Sequence, residues 1–304
     1  TDSHPAFAPR VAIIGGGPAG LMQTLLANLD VLAEDHAALA AAARAGVGLC
    51  TIVGIEGGFS RRLGAQLAVL PDGSTIGSLA DGCLEAQLAA DIGQLEEPRV
   101  IRYGRGSGKV DFRLPCGGGL DILLDPQPDR AACCRASDML AERQPARLEL
   151  PYISPLSERR YLPALTIAAF GEGPELDAFV ALAATMGITV QKHDKSTLSL
   201  GQRARDLRLD RWTAALMLFH DHEWEMALLE EALASPAFYI GAQGGKNARE
   251  GREELLRERG HAPDAIGRIR SPVGALPACR TARALALSAL TEIVGDYERL
   301  RPGA

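Results

Sequence analysis

Two cysteines of this chain stand in glycine-rich frames. Cys83 closes the run GGFSRRLGAQLAVLPDGSTIGSLADGCLE, and Cys116 opens PCGGGLDILLDP about thirty residues later. Glycine beside cysteine leaves no Cβ in the way, so bare backbone N–H groups and a sulfur can face one small space. That suits an anionic, sulfur-bearing ligand, and Arg61 and Arg62 add fixed positive charge of the kind that grips phosphate. A thiolate at Cys83 is a soft ligand or sulfur carrier. A helix expected from about Leu84 places it at the positive end of the helix dipole, with Glu85 as a helix-start charge. The plain alternative for each cysteine is a small buried hydrophobe.

Two more groups carry possible chemistry. GEGPEL, with Gly171 and Gly173, follows a β-branched and apolar run, and Asp194 closes the next run, ITVQKHD, at the spacing that ribose recognition needs. The motif is incomplete. Leu176 stands at the third glycine, and Glu172 puts a carboxylate where a pyrophosphate would rest. His220-Asp221-His222 follows AALMLF at the expected carboxyl end of a strand, flanked by Glu223 and Glu225. Two histidines so spaced, with His193 or Asp194 from the neighbouring strand, form a candidate metal donor set. The alternative is a set of hydrogen-bonded loop residues organising a crevice.

Turns and periodicity indicate which elements position these residues. From Leu49, short alternating segments (LCTIVGI, AQLAVL, TIGSL, VIRYG, KVDFRL, LDILL) separated by Pro-Asp and Asp-Gly turns predict a mixed or antiparallel sheet. Residues 1–130 are therefore expected to form a small α+β domain. Residues 131–163, dense in proline and arginine, read as a connector in which the vicinal Cys133-Cys134 are incidentally exposed, with a redox or sulfur-transfer role for the pair as the alternative. Residues 164–304 alternate strand and helix, closing on a helix over Arg283–Tyr297, and are expected to form a Rossmann-like, doubly wound parallel sheet. The chain is thus of the α/β class. Near the start, GGGPAG after Val11–Ile14 is a literal GxGxxG. However, the alanine-rich helix expected over 31–45 occupies the place of the second strand that a dinucleotide fold requires.

Composition narrows the classes. With 304 residues and 47% hydrophobic content, the chain can build two cores of ordinary size. A net charge of −6 and the lack of any basic stripe exclude a nucleic-acid partner. No apolar run reaches the ~18 residues of a membrane span, and the first ten residues lack a signal pattern, so a cytoplasmic protein without a membrane partner is expected. Six cysteines without a CxxC pair are expected to be thiols.

Across roughly Ala45 to Tyr297 the chain resembles the XdhC/CoxI family of xanthine dehydrogenase accessory proteins. The family's Gly-Ser-x-Pro-Arg-x-x-Gly-Ala and Gly-Ser-x-Ser-Gly-Gly-Cys-x-Glu overlay Gly57–Ala65 and Gly77–Glu85, with Arg61, Gly64, Gly82, Cys83 and Glu85 matching. Its Gly-Cys-Gly-Gly is Pro115-Cys116-Gly117-Gly118 here. FGEGPELDAF, FHDHEWEMALLEEAL, FYIGAQGG and SPVGALPACRTARALALSALTEIV follow in the family's order. Gly58, Ser60, Ala80, Asp81, Pro174, Phe219, Glu225, Gly245-Lys246-Asn247 and Ala282 depart from the pattern, which marks a divergent member.

The resemblance implies a non-enzymatic chaperone that binds molybdenum cofactor, a dithiolene-bearing pterin phosphate, in the cleft between the two domains. The cofactor would pass to a xanthine dehydrogenase-type molybdoenzyme, with sulfuration beforehand an extension that brings in a cysteine desulfurase. A homodimer is compatible with it. The residues so implied in cofactor binding are Arg61, Gly64, Gly82, Cys83, Glu85, Cys116, Gly117 and Gly118, with Gly171, Gly173, Asp194, His220, Asp221, His222 and Gly241 in the second half. The competing reading is an oxidoreductase that holds NAD(P) or FAD through GEGPEL or GGGPAG.

Overall fold

The computed structural model describes residues 34–80, 82–108, 117–204 and 207–301. GGGPAG, the predicted KVDFRL strand and Cys116 lie outside them.

Alternation in the first half produces a sheet with two apolar faces. Helix α1 (Glu34–Ala42) precedes β1 (Gly48–Glu56), β2 (Gln66–Val69) and β3 (Thr75–Gly77). Then come α2 (Cys83–Ile92), β4 (Arg99–Gly104) and β5 (Gly119–Asp125). The strands form an antiparallel sheet in the order β3-β2-β1-β5-β4. Cys50, Ile52, Leu67 and Val69 point to the face covered by Leu84, Leu88 and Ile92 of α2. Their neighbours Leu49 and Ala68 point the other way, onto Ala38, Leu39 and Ala42 of α1, as the two-residue period of a strand dictates. The β2–β3 turn is set by Asp72, whose carboxylate accepts the amide and hydroxyl of Ser74, with Gly73 at φ +83°.

The stretch expected to be a connector has structure of its own. Helix α3 (Arg130–Ala141) is capped by Asp129, and β6 (Ala146–Glu149) pairs antiparallel with β7 (Glu158–Tyr161). Cys133, Ala136 and Leu140 recur at helical spacing and pack with Ala146, Leu148 and Tyr161 against α1. Cys133 is therefore fully buried, not exposed, and burial pushes its thiol up to about 11. Of the vicinal pair, Cys134 alone faces solvent.

The second half is a parallel sheet. Strands β8 (Thr166–Gly171), β9 (Thr189–His193), β10 (Thr213–Leu218), β11 (Tyr239–Ala242) and β12 (Ile269–Arg270) lie in the order β12-β11-β10-β8-β9. β8, β10 and β11 are buried throughout. That fits strands covered on both faces and explains why they read as continuous apolar runs. Helices α4 (Gly173–Thr185) and α8 (Ala282–Glu298) cover one face. Helices α5 (Met226–Ala234) and α6 (Lys246–Glu258) cover the other, and a short helix α7 (Pro263–Ile266) leads into β12. The doubly wound Rossmann-like sheet is as the sequence predicts. Because the chain runs from β8 outward to β9 and then back to β10, the order reverses between β8 and β10. The crevice outside their carboxyl ends is the topological switch point.

Candidate functional site

In the first half, the candidate residues gather on the loop after β1. Gly64 at φ +80° donates its N–H to Ile52 O at 2.7 Å and turns the chain back into β2. A Cβ on Gly64 would stand 2.8 Å from Arg159 Cδ, so the glycine also admits that side chain. Arg61 reaches the Cys83 loop, its guanidinium donating to Ser78 O and Ser78 Oγ, both at 3.1 Å. On the other flank, Gly118 Cα lies 3.5 Å from where a Cβ on Gly57 would be. The loop at 57–64 is thus bordered by the Cys83 loop on one side and by Gly117-Gly118, which follow Cys116, on the other. Gly117 and Gly82 have φ of +68° and +94°, with nothing within 4 Å of an added Cβ. Cys83 is the first residue of α2 and is exposed.

Glu85 has a structural task that the sequence did not disclose. Its carboxylate accepts the N–H groups of Leu79 at 2.8 Å, Ala80 at 2.6 Å and Gly82 at 2.8 Å, wrapping the loop around the start of α2. Burial pushes this carboxyl upward, but the backbone donors of Ala80, Glu85 itself, Leu79 and Gly82 outweigh it and hold the group below its ordinary value. Three N–H groups expected to be bare are therefore already engaged. What the loop offers a ligand is the Cys83 thiol, glycine-lined space and Arg61. A groove of ≈ 390 Å³ runs along this edge past Gly77, Ser78, Gly82 and Glu85.

In the second half, the candidates meet at the switch point. Glu172 and Gly173 (φ +76°) turn β8 into α4, and Phe219 leads from β10 to His220, Asp221 and His222. Two side chains cross the mouth. Lys195 Nζ lies 2.7 Å from Glu172 Oε1 and 3.9 Å from Asp221 Oδ2, and it stands 5.1 Å over the ring of Trp224. His220 Nε2 is 3.3 Å from Glu175 Oε2, and its Nδ1 is 3.4 Å from Gln243 Nε2.

Beneath them, Glu225 is 1% exposed. Its Oε2 accepts Nε and Nη2 of Arg252 at 3.1 and 2.9 Å. It also stands 3.2 Å from His222 Nδ1, close but without hydrogen-bond alignment. Arg252 donates further to Gln243 O and Ser271 Oγ, so one guanidinium ties together the loops after β10, β11 and β12. His193 stacks on Phe170 at 5.0 Å, and burial lowers its pKa.

Several second-half candidates have packing explanations. A Cβ on Gly171 would meet Leu218 O at 2.7 Å, and one on Gly241 would meet the Tyr239 ring at 2.6 Å. Both glycines are required by close contacts within the sheet. Asp194 is committed to its own turn, accepting the Ser196 amide at 3.0 Å and the Ser196 hydroxyl; those bonds hold its carboxyl low. Among the described residues, no three His, Cys, Asp or Glu side chains come together to hold a metal ion, so the donor set sought around His220 and His222 is not assembled. The sequence also gave no reason to single out Glu175, Lys195, Gln243 or Arg252. Arg252 is one charge among many on KNAREGREELLRE, and only its four-residue offset from Leu256, which shares its buried face, hinted at its place.

Among the described residues, the two groups of candidates do not share a cleft within one chain. Arg143 of the first half binds Asp210, Ala164 O, Thr166 and Thr213, all at the amino ends of β8 and β10. Tyr297 near the end of α8 bonds Pro163 O, and Arg62 meets Glu298 on the last turn of that helix at 3.5 Å. These contacts join the cysteine-bearing half to the amino edge of the parallel sheet. The switch point lies at the carboxyl edge, about 20 Å away along six-residue strands. The expectation of one cleft holding both sets is thereby corrected.

Comparison with known proteins bears on both halves. Residues 40–104 match the model of the XdhC and CoxI family, and residues 167–293 match the XdhC Rossmann domain. The chain is 32% identical over 267 residues to the molybdenum cofactor insertion chaperone PaoD of Escherichia coli (strain K12), covering 82% of each. It also shares its fold with a crystal structure described as a xanthine dehydrogenase from Bacillus halodurans, with a TM-score of 0.68 at 19% identity over 90% of this chain and 98% of that one. Among the described residues no helix is long and apolar enough to cross a membrane. With both halves matched and a relative at this identity over most of its length, the chain belongs to the XdhC/CoxI family.

Proposed function

We propose that this chain holds molybdenum cofactor as cargo and hands it to a molybdenum hydroxylase of the xanthine dehydrogenase type. The observation that carries the reading is the Cys83 thiol, exposed at the N-terminus of α2, flanked by unobstructed Gly82 and bordered by the Arg61 loop. The similarity to an insertion chaperone supports it independently. In this account Cys83 supplies a soft sulfur contact at a positive helix end, Arg61 orients the Cys83 loop through Ser78, and Glu85 keeps that loop folded while the cargo enters and leaves. No proton transfer is asked of any of these groups. Sulfuration before hand-over would have the Cys83 thiolate accept the outer sulfur of a cysteine desulfurase persulfide, leaving the donor as its thiolate.

The alternative, an NAD(P) or flavin oxidoreductase, is poorly served by the switch point. Glu172 and Glu175 stand at the start of α4 where a pyrophosphate would rest, and Asp194 is occupied by its own turn. The test is to incubate the purified chain with cofactor released from a donor molybdoenzyme, remove free ligand on a short column and assay the retained pterin and molybdenum. Near-stoichiometric retention that drops in Cys83→Ala is expected. No retention, with a melting shift on adding NAD(P) or FAD, would overturn the reading.

A further inference from the structure

The β6–β7 hairpin ends in a turn whose composition does not suit a solvated surface. Ser154 donates its N–H to Pro151 O at 2.8 Å, so Pro151-Tyr152-Ile153-Ser154 is a β-turn with an aromatic and a β-branched residue at its two corners. Such corners usually hold proline, glycine, asparagine or aspartate, which fit both the backbone angles and water. Tyr152 is 98% exposed and Ile153 38%, so the fold leaves the ring wholly unburied. The turn is nonetheless fixed. Leu150 donates its N–H to Ser157 O at 2.9 Å, Leu156 donates its N–H to Ser154 Oγ at 3.2 Å, and Pro151 and Pro155 restrict φ on both sides. An aromatic ring carried on a rigid support loses little freedom when it enters a pocket, as the anchors of protein interfaces do.

The position of the hairpin links this turn to the Cys83 half's candidate site. The Tyr161 hydroxyl donates to Gln66 at the start of β2, and two residues earlier Arg159 Cδ lies 2.8 Å from where a Cβ on Gly64 would be. Followed back from Tyr161, β7 thus runs beside the chain from Gln66 to Gly64, in the direction of Arg62 and Arg61. The turn stands about 10 Å farther that way, three residues beyond Arg159. Leu63, 47% exposed, adds apolar surface on the same loop. The strands that carry the turn show charge instead: Arg147, Glu149 and Arg160 occupy their exposed alternate positions. A second copy of this chain therefore finds no continuous apolar face here. A tyrosine buries about 150–250 Å², against about 800 Å² per partner in a stable complex, so the turn suits the anchor of a contact that forms and then dissolves.

We propose that the turn at 151–155 is the knob by which this chain docks on the protein that receives its cargo, with the Tyr152 ring seated in an apolar socket of that acceptor. Arg147, Glu149 and Arg160 form the polar rim around it. The inference rests on the delivery reading for the identity of the acceptor, a hydroxylase of the xanthine dehydrogenase type. Docking at this turn brings the acceptor's surface to the side on which the 57–64 loop opens, so the cargo crosses a short gap instead of passing through bulk water. Tyr152 itself holds no cargo. Its loss therefore weakens the encounter with the acceptor and leaves the cargo site as it was.

The test immobilises a cofactor-free hydroxylase of the xanthine dehydrogenase type and titrates it with the full-length chain, loaded and unloaded. Tyr152→Ala should weaken binding about tenfold or more, while Tyr152→Phe, which keeps the ring, should stay within about threefold of wild type. Leu255→Ala removes an equally visible apolar side chain from α6 and should change nothing. Unfolding midpoint, mass in solution and cofactor retention should match wild type in all three variants. Any of four results would overturn the inference: no binding of the hydroxylase by the wild-type chain, undiminished binding in Tyr152→Ala, an equal loss in Leu255→Ala, or a change of mass in Tyr152→Ala, which would make the turn a contact between copies of this chain. Cofactor retention by wild type is read separately. Its absence refutes the cargo reading, whereas retention with hydroxylase binding indifferent to Tyr152 refutes the docking knob alone.

Discussion

Substituting Glu85 tests how the cysteine loop is built. Its carboxylate receives three backbone N–H groups at 2.6 to 2.8 Å from a loop with no other described side-chain anchor on those amides. Hydrogen bonds to a charged acceptor contribute about 1.5–3 kcal/mol each, but three bonds to one group are not additive, so Glu85→Ala should cost about 3–5 kcal/mol. Glu85→Gln keeps one acceptor oxygen and loses the charge, for a cost of about 1–2 kcal/mol. Because the folded carboxyl is held below its ordinary value of 4.5, its contribution is fully present above pH 4.5. It is lost as pH falls through the lowered folded value. Urea unfolding at neutral pH and at pH 3 should therefore show the gap between wild type and Glu85→Gln shrinking in acid. Amide exchange should accelerate at Leu79, Ala80 and Gly82 in the variant. If those three amides exchange as in wild type, Glu85 does not hold the loop and the reasoning fails.

Three further outcomes are expected. Arg252→Met should lower unfolding stability by about 3–5 kcal/mol because it strands the buried Glu225 charge; the double variant with Glu225→Leu should recover much of that loss, and a double-mutant cycle in urea checks both. Gly171→Ala forces a Cβ to 2.7 Å from Leu218 O between two central strands, and thermal denaturation should show a loss of about 1–3 kcal/mol. Arg143→Ala removes the bidentate tie to Asp210 and leaves Thr166 and Thr213 short of a donor. Limited proteolysis should then cut faster between the two halves while each sheet's amide protection persists.

The sequence disclosed those parts of the fold that depend on local pattern. β8, the GEG turn and α4 followed from an apolar run, glycines and a helical stripe. The start of α2 at Cys83 followed from glycine giving way to helix formers. What it hid depends on three-dimensional pairing. Proline and arginine in 131–163 masked the Cys133-Ala136-Leu140 stripe that buries α3. Glu85 looked like a charge for a helix dipole because the loop amides it gathers are unremarkable as sequence. Gly171 and Gly241 looked like ligand glycines, although their neighbours across and along the sheet explain them. The separation of the Cys83 loop from the switch point could not be read at all. It follows from which edge of the parallel sheet Arg143, Tyr297 and Glu298 present to the first half.

The central claim is delivery of cargo through the Cys83 loop. The most direct test is to load the chain with molybdenum cofactor, mix it with a cofactor-free hydroxylase of the xanthine dehydrogenase type, and follow the appearance of hydroxylase activity against an equal amount of free cofactor. The account predicts faster and more complete activation by the loaded chain, an advantage that Cys83→Ala abolishes while its fold, by circular dichroism and unfolding, stays intact. Activation no better than free cofactor, or an advantage undiminished in Cys83→Ala, would contradict it.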